Sequence, residues 1–429
     1  MFKINNFFKR QIQHIRLGGK KEVIRKLYRF KDFFFHYTIF LIYLPFIAIF
    51  ILIIRIISPF FLIRLEPLIY WRLGHFAANV ELYLCEKEEG INVPIKRYFD
   101  IWYQELNDCN LQLKKMWMRI INIKTGSFFA LADRLNRKIP GFNKFTIGTN
   151  TCCDRDVNNL LDKYPAHLSF TQEEEIEGER QLKLFGVPNN GKFICITVRD
   201  SAYLDNQSNS SNLRVDWSYH NYRDGDIQNY VPALVALAEK GYVIFRMGAV
   251  VNKKMSVSHK NIIDYAVSDL RNDFMDIYLG AKCEFCISTG TGFDAVPFIF
   301  RRPIIYMNHV PLGIIATFSD KFIATTKLHW LKNEKRYMNF KEIFDSGAGY
   351  FMRSSEFESS GIDLIETSPE EIIEGVMEME SRIKGEWEDT IQDTELQKKF
   401  WEVFQKKEMH GEIKSKISTT FLRRYQYLL

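Results

Sequence analysis

The residues of this chain best suited to chemistry are three arginines, one histidine and a short run of serine, threonine and glycine. Ser288-Thr289-Gly290-Thr291-Gly292 joins an apolar run of strand character, Cys283 to Ser288, to Asp294–Phe300, which can open a helix. A strand, a glycine turn and a helix start bring several backbone N–H groups to one point, which suits a phosphate. Arg199, Arg223 and Arg246, the last leading into Met247-Gly248, each lie at or just past the end of a strand or turn. In a doubly wound sheet such positions converge on one edge, where guanidinium groups can hold a dianionic diphosphate. His75 follows Gly74 at the end of a predicted strand, Leu68 to Trp71. Glycine there permits close approach of a ligand, and imidazole titrates near neutrality, as proton transfer requires.

Metal chemistry is weakly signalled. Asp154-Arg155-Asp156 and Asp224-Gly225-Asp226 could hold a divalent cation between carboxylates and phosphates. Both precede a helical stretch, where Asp is an ordinary N-cap, so no metal is expected. Of seven cysteines, Cys283 and Cys286 form the one C-x-x-C, and no second pair completes a zinc site. They lie in an apolar strand and read as packing thiols of a reducing compartment.

The elements that must position these residues alternate. Helices are expected over Phe76–Glu88, Asn110–Ile123 with Leu111, Met116 and Ile120 inward, Gln172–Leu184, Ile227–Lys240 and parts of Pro369–Phe404. Strands are expected over Arg97–Tyr103, Phe193–Val198, Tyr242–Arg246 and Ile304–Met307, with Pro188-Asn189-Asn190-Gly191 as a linker. The implied fold is α/β, two Rossmann-like doubly wound domains facing a cleft, over 64–188 and 189–380, with C-terminal helices over 381–429.

The net charge of +6 is uneven. Ten Lys/Arg against Glu22 and Asp32 give residues 1–32 a charge of +8, leaving −2 for the remainder. That argues against a broad nucleic-acid-binding face and for a basic amphipathic terminus on an anionic membrane. Phe33 to Ile54 carries no Asp, Glu, Lys or Arg and is long enough to cross a bilayer, so 33–63 reads as a hydrophobic membrane segment. It could span once, break at Pro45 and return, or be a buried helix of a soluble fold. The second is favoured, because the large domain resembles a user of cytosolic substrates.

Several strings together resemble a known family. Arg72-Leu73-Gly74-His75 with Asn79 and Glu81, then Asn110-x-Gln112-Leu113-x-x-Met116-Trp117, are similar to bacterial glycosyltransferases of surface-polysaccharide gene clusters. So are Val198-Arg199-Asp200, His220-Asn221-Tyr222-Arg223, Arg246-Met247-Gly248, and Ser288-x-Gly290 through Pro303 and Asn308. The resemblance covers Leu65 to Ile315. It implies a GT-B architecture, with Gly74, Asn79 and Glu81 on the acceptor side and a nucleotide-sugar donor on the later half. The donor phosphates would then lie on Ser288, Thr289, Gly290, Thr291 and Gly292, with Arg199, Arg223, Arg246 and Gly248, and His75 would be the base. A metal-independent sugar transfer to a lipid-linked or polysaccharide acceptor, at the cytoplasmic face of the plasma membrane and with no bound cofactor, is the expectation. A nucleotide-sugar epimerase and a non-catalytic membrane scaffold of the same fold are the alternatives.

Overall fold

The computed structural model describes residues 41–105, 108–148, 154–203 and 217–429, together with Val23, Lys31 and Thr38. The chain is α/β, with two parallel sheets and a small antiparallel one. In the first, β1 (Phe61–Pro67) and β3 (Ile123–Thr125) flank β2 (Arg97–Gln104). The helix Leu73–Glu89 crosses from β1 to β2. β1 begins inside the stretch expected for the membrane, and Leu68 to Trp71, expected as the strand, follows it. The physical reason is Arg64. Its guanidinium is buried and bonded at 2.6 Å to both oxygens of Asp100 on β2, so the charge that interrupts the apolar run is satisfied inside the sheet.

Residues 41–57 form one helix that passes through Pro45 without a break. Ile47, Ile51 and Ile54 are buried against β1, β2 and the neighbouring helix Ser127–Asn136. Among the described residues no helix is long and apolar enough to cross a membrane. The expected membrane segment therefore resolves, where described, into a helix packed on protein, a turn and a strand. The basic amphipathic terminus lies outside the described residues apart from Val23 and Lys31.

The second sheet has seven parallel strands, six described below and a two-residue edge strand, Lys416–Ile417, that pairs with Phe322–Ala324. β4 (Phe193–Thr197), β5 (Val243–Arg246) and β6 (Ile262–Ile263) run to one side. The chain then returns to the other side of β4 with β7 (Cys286–Ser288), β8 (Ile304–Tyr306) and β9 (Phe322–Ala324). The sheet order reverses between β4 and β7, the place where open α/β sheets leave a crevice at the carboxyl ends of their strands. Alternate residues of β4 serve opposite cores. Ile194 and Ile196 pack with Leu234, Leu237, Ile372 and Val376, while Phe193 and Cys195 join a cluster containing Met275, Ile277 and Val296. That second cluster also holds Phe76, Leu113, Met116 and Trp117 from the first half, so one apolar core runs through the junction. Cys195, Cys283 and Cys286 are free and buried in it. Leu111 and Ile120, expected inward, are exposed, because the helix stops at Trp117 and turns Gln112, Leu113, Met116 and Trp117 to the core.

Candidate functional site

β4 and β7 end side by side, with Thr197 opposite Ser288. Their loops are stitched together: Arg199 N donates to Thr289 Oγ1 at 2.8 Å, and Thr289 N to Thr197 O at 3.2 Å. Within the glycine turn, Ser288 Oγ accepts from Gly290 N at 2.9 Å and donates to Asp294 Oδ2 at 2.7 Å. Asp294 Oδ2 also accepts from Thr291 N at 2.8 Å. The amides of Thr289, Gly290 and Thr291, expected to be bare, are thus already used. The helix that follows, Ala295–Ile299, is a single turn and adds little dipole. What the turn supplies is shape. Gly290 has φ +81, and a Cβ there would lie 2.9 Å from the His309 ring.

The charge comes from side chains. Arg223 Nη2 donates to Gly290 O, and Arg199 Nε lies 3.3 Å from Asp224 Oδ1. His220 sits among guanidinium groups: burial pushes its pKa down to about 4, helped by Arg199, Arg223, Arg72 and Arg353. Burial, with Arg223 and Arg155, pushes His309 down to about 3. Burial also raises Asp224 to about 6 against the pull of Arg199 and Lys327. The rings of Trp217, Tyr219 and His220 touch, with Arg72 over Trp217 at 5.9 Å and Arg353 over Tyr219 at 5.1 Å. Four arginines around His220, of which Arg223 also reaches His309, make an electropositive site suited to a polyanion.

Arg246 and Gly248 stand apart from this group. Arg246 is buried, and its Nη1 bonds Lys253 O at 2.8 Å and Asp264 Oδ1 at 3.1 Å. A Cβ on Gly248 would meet Val251 at 2.8 Å. Both hold the loop after β5. Gly74 and Gly292 touch: a Cβ on Gly74 would lie 3.2 Å from Gly292 Cα, so the Arg72–His75 turn abuts the glycine turn. His75 and Asn79, one helical turn apart, carry a buried Nδ1 and a buried Oδ1 with no hydrogen-bond partner. Glu81, expected on the acceptor side, is fully buried, 2.6 Å from Arg301 Nη2 and 3.0 Å from His167 Nδ1. Glu81, Cys85 and His167 could by type hold a metal ion, but the Arg301 guanidinium already meets the same carboxylate oxygen. Asp226 caps the short helix Ile227–Tyr230 through Gln228 N, as expected, whereas Asp156 accepts from Leu160 N and Leu161 N in a turn that no helix follows.

Sequence reasoning missed His309, Arg353 and the Trp217–Tyr219 pair. His309 could have been found, since it lies just past β8 in the same stretch as the glycine turn. Arg353 has no local signal.

No family model and no curated protein matches the sequence. Among solved structures, a glycosyl transferase family 9 protein from Veillonella parvula DSM 2008 is 10% identical, with TM-score 0.35, covering 56% of this chain and 79% of that one. The E. coli ADP-heptose LPS heptosyltransferase II is 11% identical, with TM-score 0.37, covering 61% and 90%. The S. aureus MnaA–UDP co-structure is 10% identical, with TM-score 0.21, covering 74% and 82%.

Proposed function

We propose that the chain is a membrane-associated glycosyltransferase that moves a sugar from a nucleotide-sugar donor to a lipid-linked or glycan acceptor, in surface-glycan synthesis at the cytoplasmic face of the plasma membrane. The observation that carries this reading is the set of Arg72, Arg199, Arg223 and Arg353 gathered on His220 at the reversal point of the second sheet. A nucleotide diphosphate is a polyanion that such a site would hold, and its charge grows as it leaves. The acceptor oxygen would attack the anomeric carbon, the bond from that carbon to the phosphate oxygen would break with its electron pair, and the hydroxyl proton would pass to His75. Fixed guanidinium groups act where charge develops, which makes them effective in the transition state. The GT-B-like division, with acceptor on 64–188 and donor on 189–380, belongs to the same proposal. So does metal independence, since the arginines supply positive charge at the leaving group.

Nucleoside diphosphate binding by calorimetry tests it. Arg223→Ala should weaken binding at least about tenfold, the worth of one charge-assisted hydrogen bond. Arg246→Ala should bind as the parent does while melting at a lower temperature, because it strips the partner from Asp264. Unchanged affinity in Arg223→Ala, or no nucleotide binding by the parent, would remove the proposal.

A further inference from the structure

The helix over residues 41–57 is apolar on the side that faces away from the protein. Leu41, Ile42, Phe46, Ile49, Leu52, Ile53 and Ile56 are all exposed, several by more than half. At 100° per residue they form one continuous arc opposite the buried Ile47, Ile51 and Ile54. No charged side chain interrupts that arc. The one charged residue in this helix, Arg55, turns inward, with Nε donating to Asn136 Oδ1 and Nη1 to Pro140 O, both at 3.0 Å. An ordinary surface helix shows the opposite pattern. The side chains together expose several hundred Å2, at or above the ~300–600 Å2 of the largest apolar patch on a typical monomer.

The patch continues past the helix end to Phe60 and Ile95, exposed by 83% and 110%. Exposed cationic residues border it there. Lys96 Nζ donates to Ser58 O at 3.0 Å and Lys144 Nζ to Ser58 Oγ at 3.1 Å, which fixes two ammonium groups at the helix end, with Arg97 beside them. Residues 1–32, with charge +8, precede the helix in the chain.

We infer that this face enters one leaflet of an anionic bilayer, with the helix lying in the plane of the membrane and its inner side still packed on the first sheet. Ile47, Ile51 and Ile54 seat one side of the helix on protein, so there only the opposite, exposed side can meet lipid. An apolar arc bordered by lysine and arginine matches acyl chains below and lipid phosphates above. A second copy of this chain is disfavoured as the occupant, because a two-fold contact would set the same cationic residues against each other. The inference deepens the membrane association within the proposed function. It rests on the helix rather than on the arginine site, so sugar transfer and membrane seating can fail separately.

The test is co-sedimentation of the full chain with vesicles of phosphatidylcholine alone or mixed with phosphatidylglycerol. The parent should pellet with the anionic vesicles and stay partly bound at about 0.5 M salt, where electrostatic attraction is screened. Ile49→Glu with Ile53→Glu should lower binding at least tenfold, abolish the salt-resistant part, and leave nucleotide affinity and melting temperature unchanged. Phe60→Asp, outside the helix, should give a severalfold loss as a second reading. Parent-like sedimentation of both variants would overturn the inference, as would a parent that binds neither vesicle. A double variant that converts a dimer to a monomer with vesicle binding intact would assign the face to a second copy instead.

Discussion

At His309 burial and two guanidinium groups act in the same direction, holding the imidazole neutral down to about pH 3. The sign of the consequence follows from proton counting. Between about 3 and the ordinary value near 6.5 the unfolded chain binds a proton that the folded chain refuses, so stability falls as pH falls through that window. Lowering pH from 7 to 5 should therefore reduce the melting temperature of the parent more than that of His309→Asn. Asp224 and Asp294, both raised to about 6 by burial, act with the opposite sign but are present in both proteins. Equal drops in the two thermal scans would show that His309 titrates normally. At this scale the sequence was legible in part. Arg199 and Arg223 both contact the glycine turn, while Arg246, equally well placed at a strand end, pairs with Asp264. Which arginine keeps a free face depends on neighbours brought in by the fold.

At the scale of elements, the contact that aligns the two halves of the site is glycine on glycine. A Cβ at Gly74 would meet Gly292 Cα at 3.2 Å and its carbonyl oxygen at 3.4 Å. Both are backbone atoms that no rotamer change can move aside. Gly74→Ala should therefore push the Arg72–His75 turn from the glycine turn by a few tenths of an ångström. Under the proposed chemistry, transfer should fall by roughly one to two orders of magnitude, since misplacement of about 1 Å can cost a hundredfold. Nucleoside diphosphate affinity should change less, because Arg199, Arg223 and Arg353 stay in place and of the four arginines only Arg72 moves with the turn. A parent-like kcat would place the reacting groups elsewhere. Periodicity made β4 and the helix Gln172–Leu184 readable almost to the residue. It failed at β1, where a buried Arg64–Asp100 pair lets an interrupted apolar run continue as strand. An ion pair formed with a distant partner leaves no local mark.

The whole molecule is held at its junction by an ion pair with the same property. Arg301, in the left-handed region at φ 60, donates to Glu81 Oε1 at 2.6 Å, Pro165 O at 2.9 Å and Tyr164 O at 3.1 Å. Glu81 lies in the helix Leu73–Glu89, and that helix packs on the one-turn helix Ala295–Ile299 just before Arg301. The residue expected to face an acceptor is thus a strut between the part of the chain carrying His75 and the part carrying the arginine site. Around it the apolar core is continuous, so the two halves should unfold together. Removing one partner of a buried pair leaves the other charge without its counterion, which costs about 3–5 kcal/mol, whereas replacing both with apolar side chains is often close to neutral. Arg301→Met should accordingly lower the denaturation midpoint in urea sharply while keeping a single transition. Glu81→Leu combined with Arg301→Met should recover most of that loss. A double variant no more stable than the single one would show that Arg301 acts through its bonds to the 164–165 carbonyls rather than through Glu81. Two separated transitions in the parent would show that the shared core does not bind the halves into one cooperative unit.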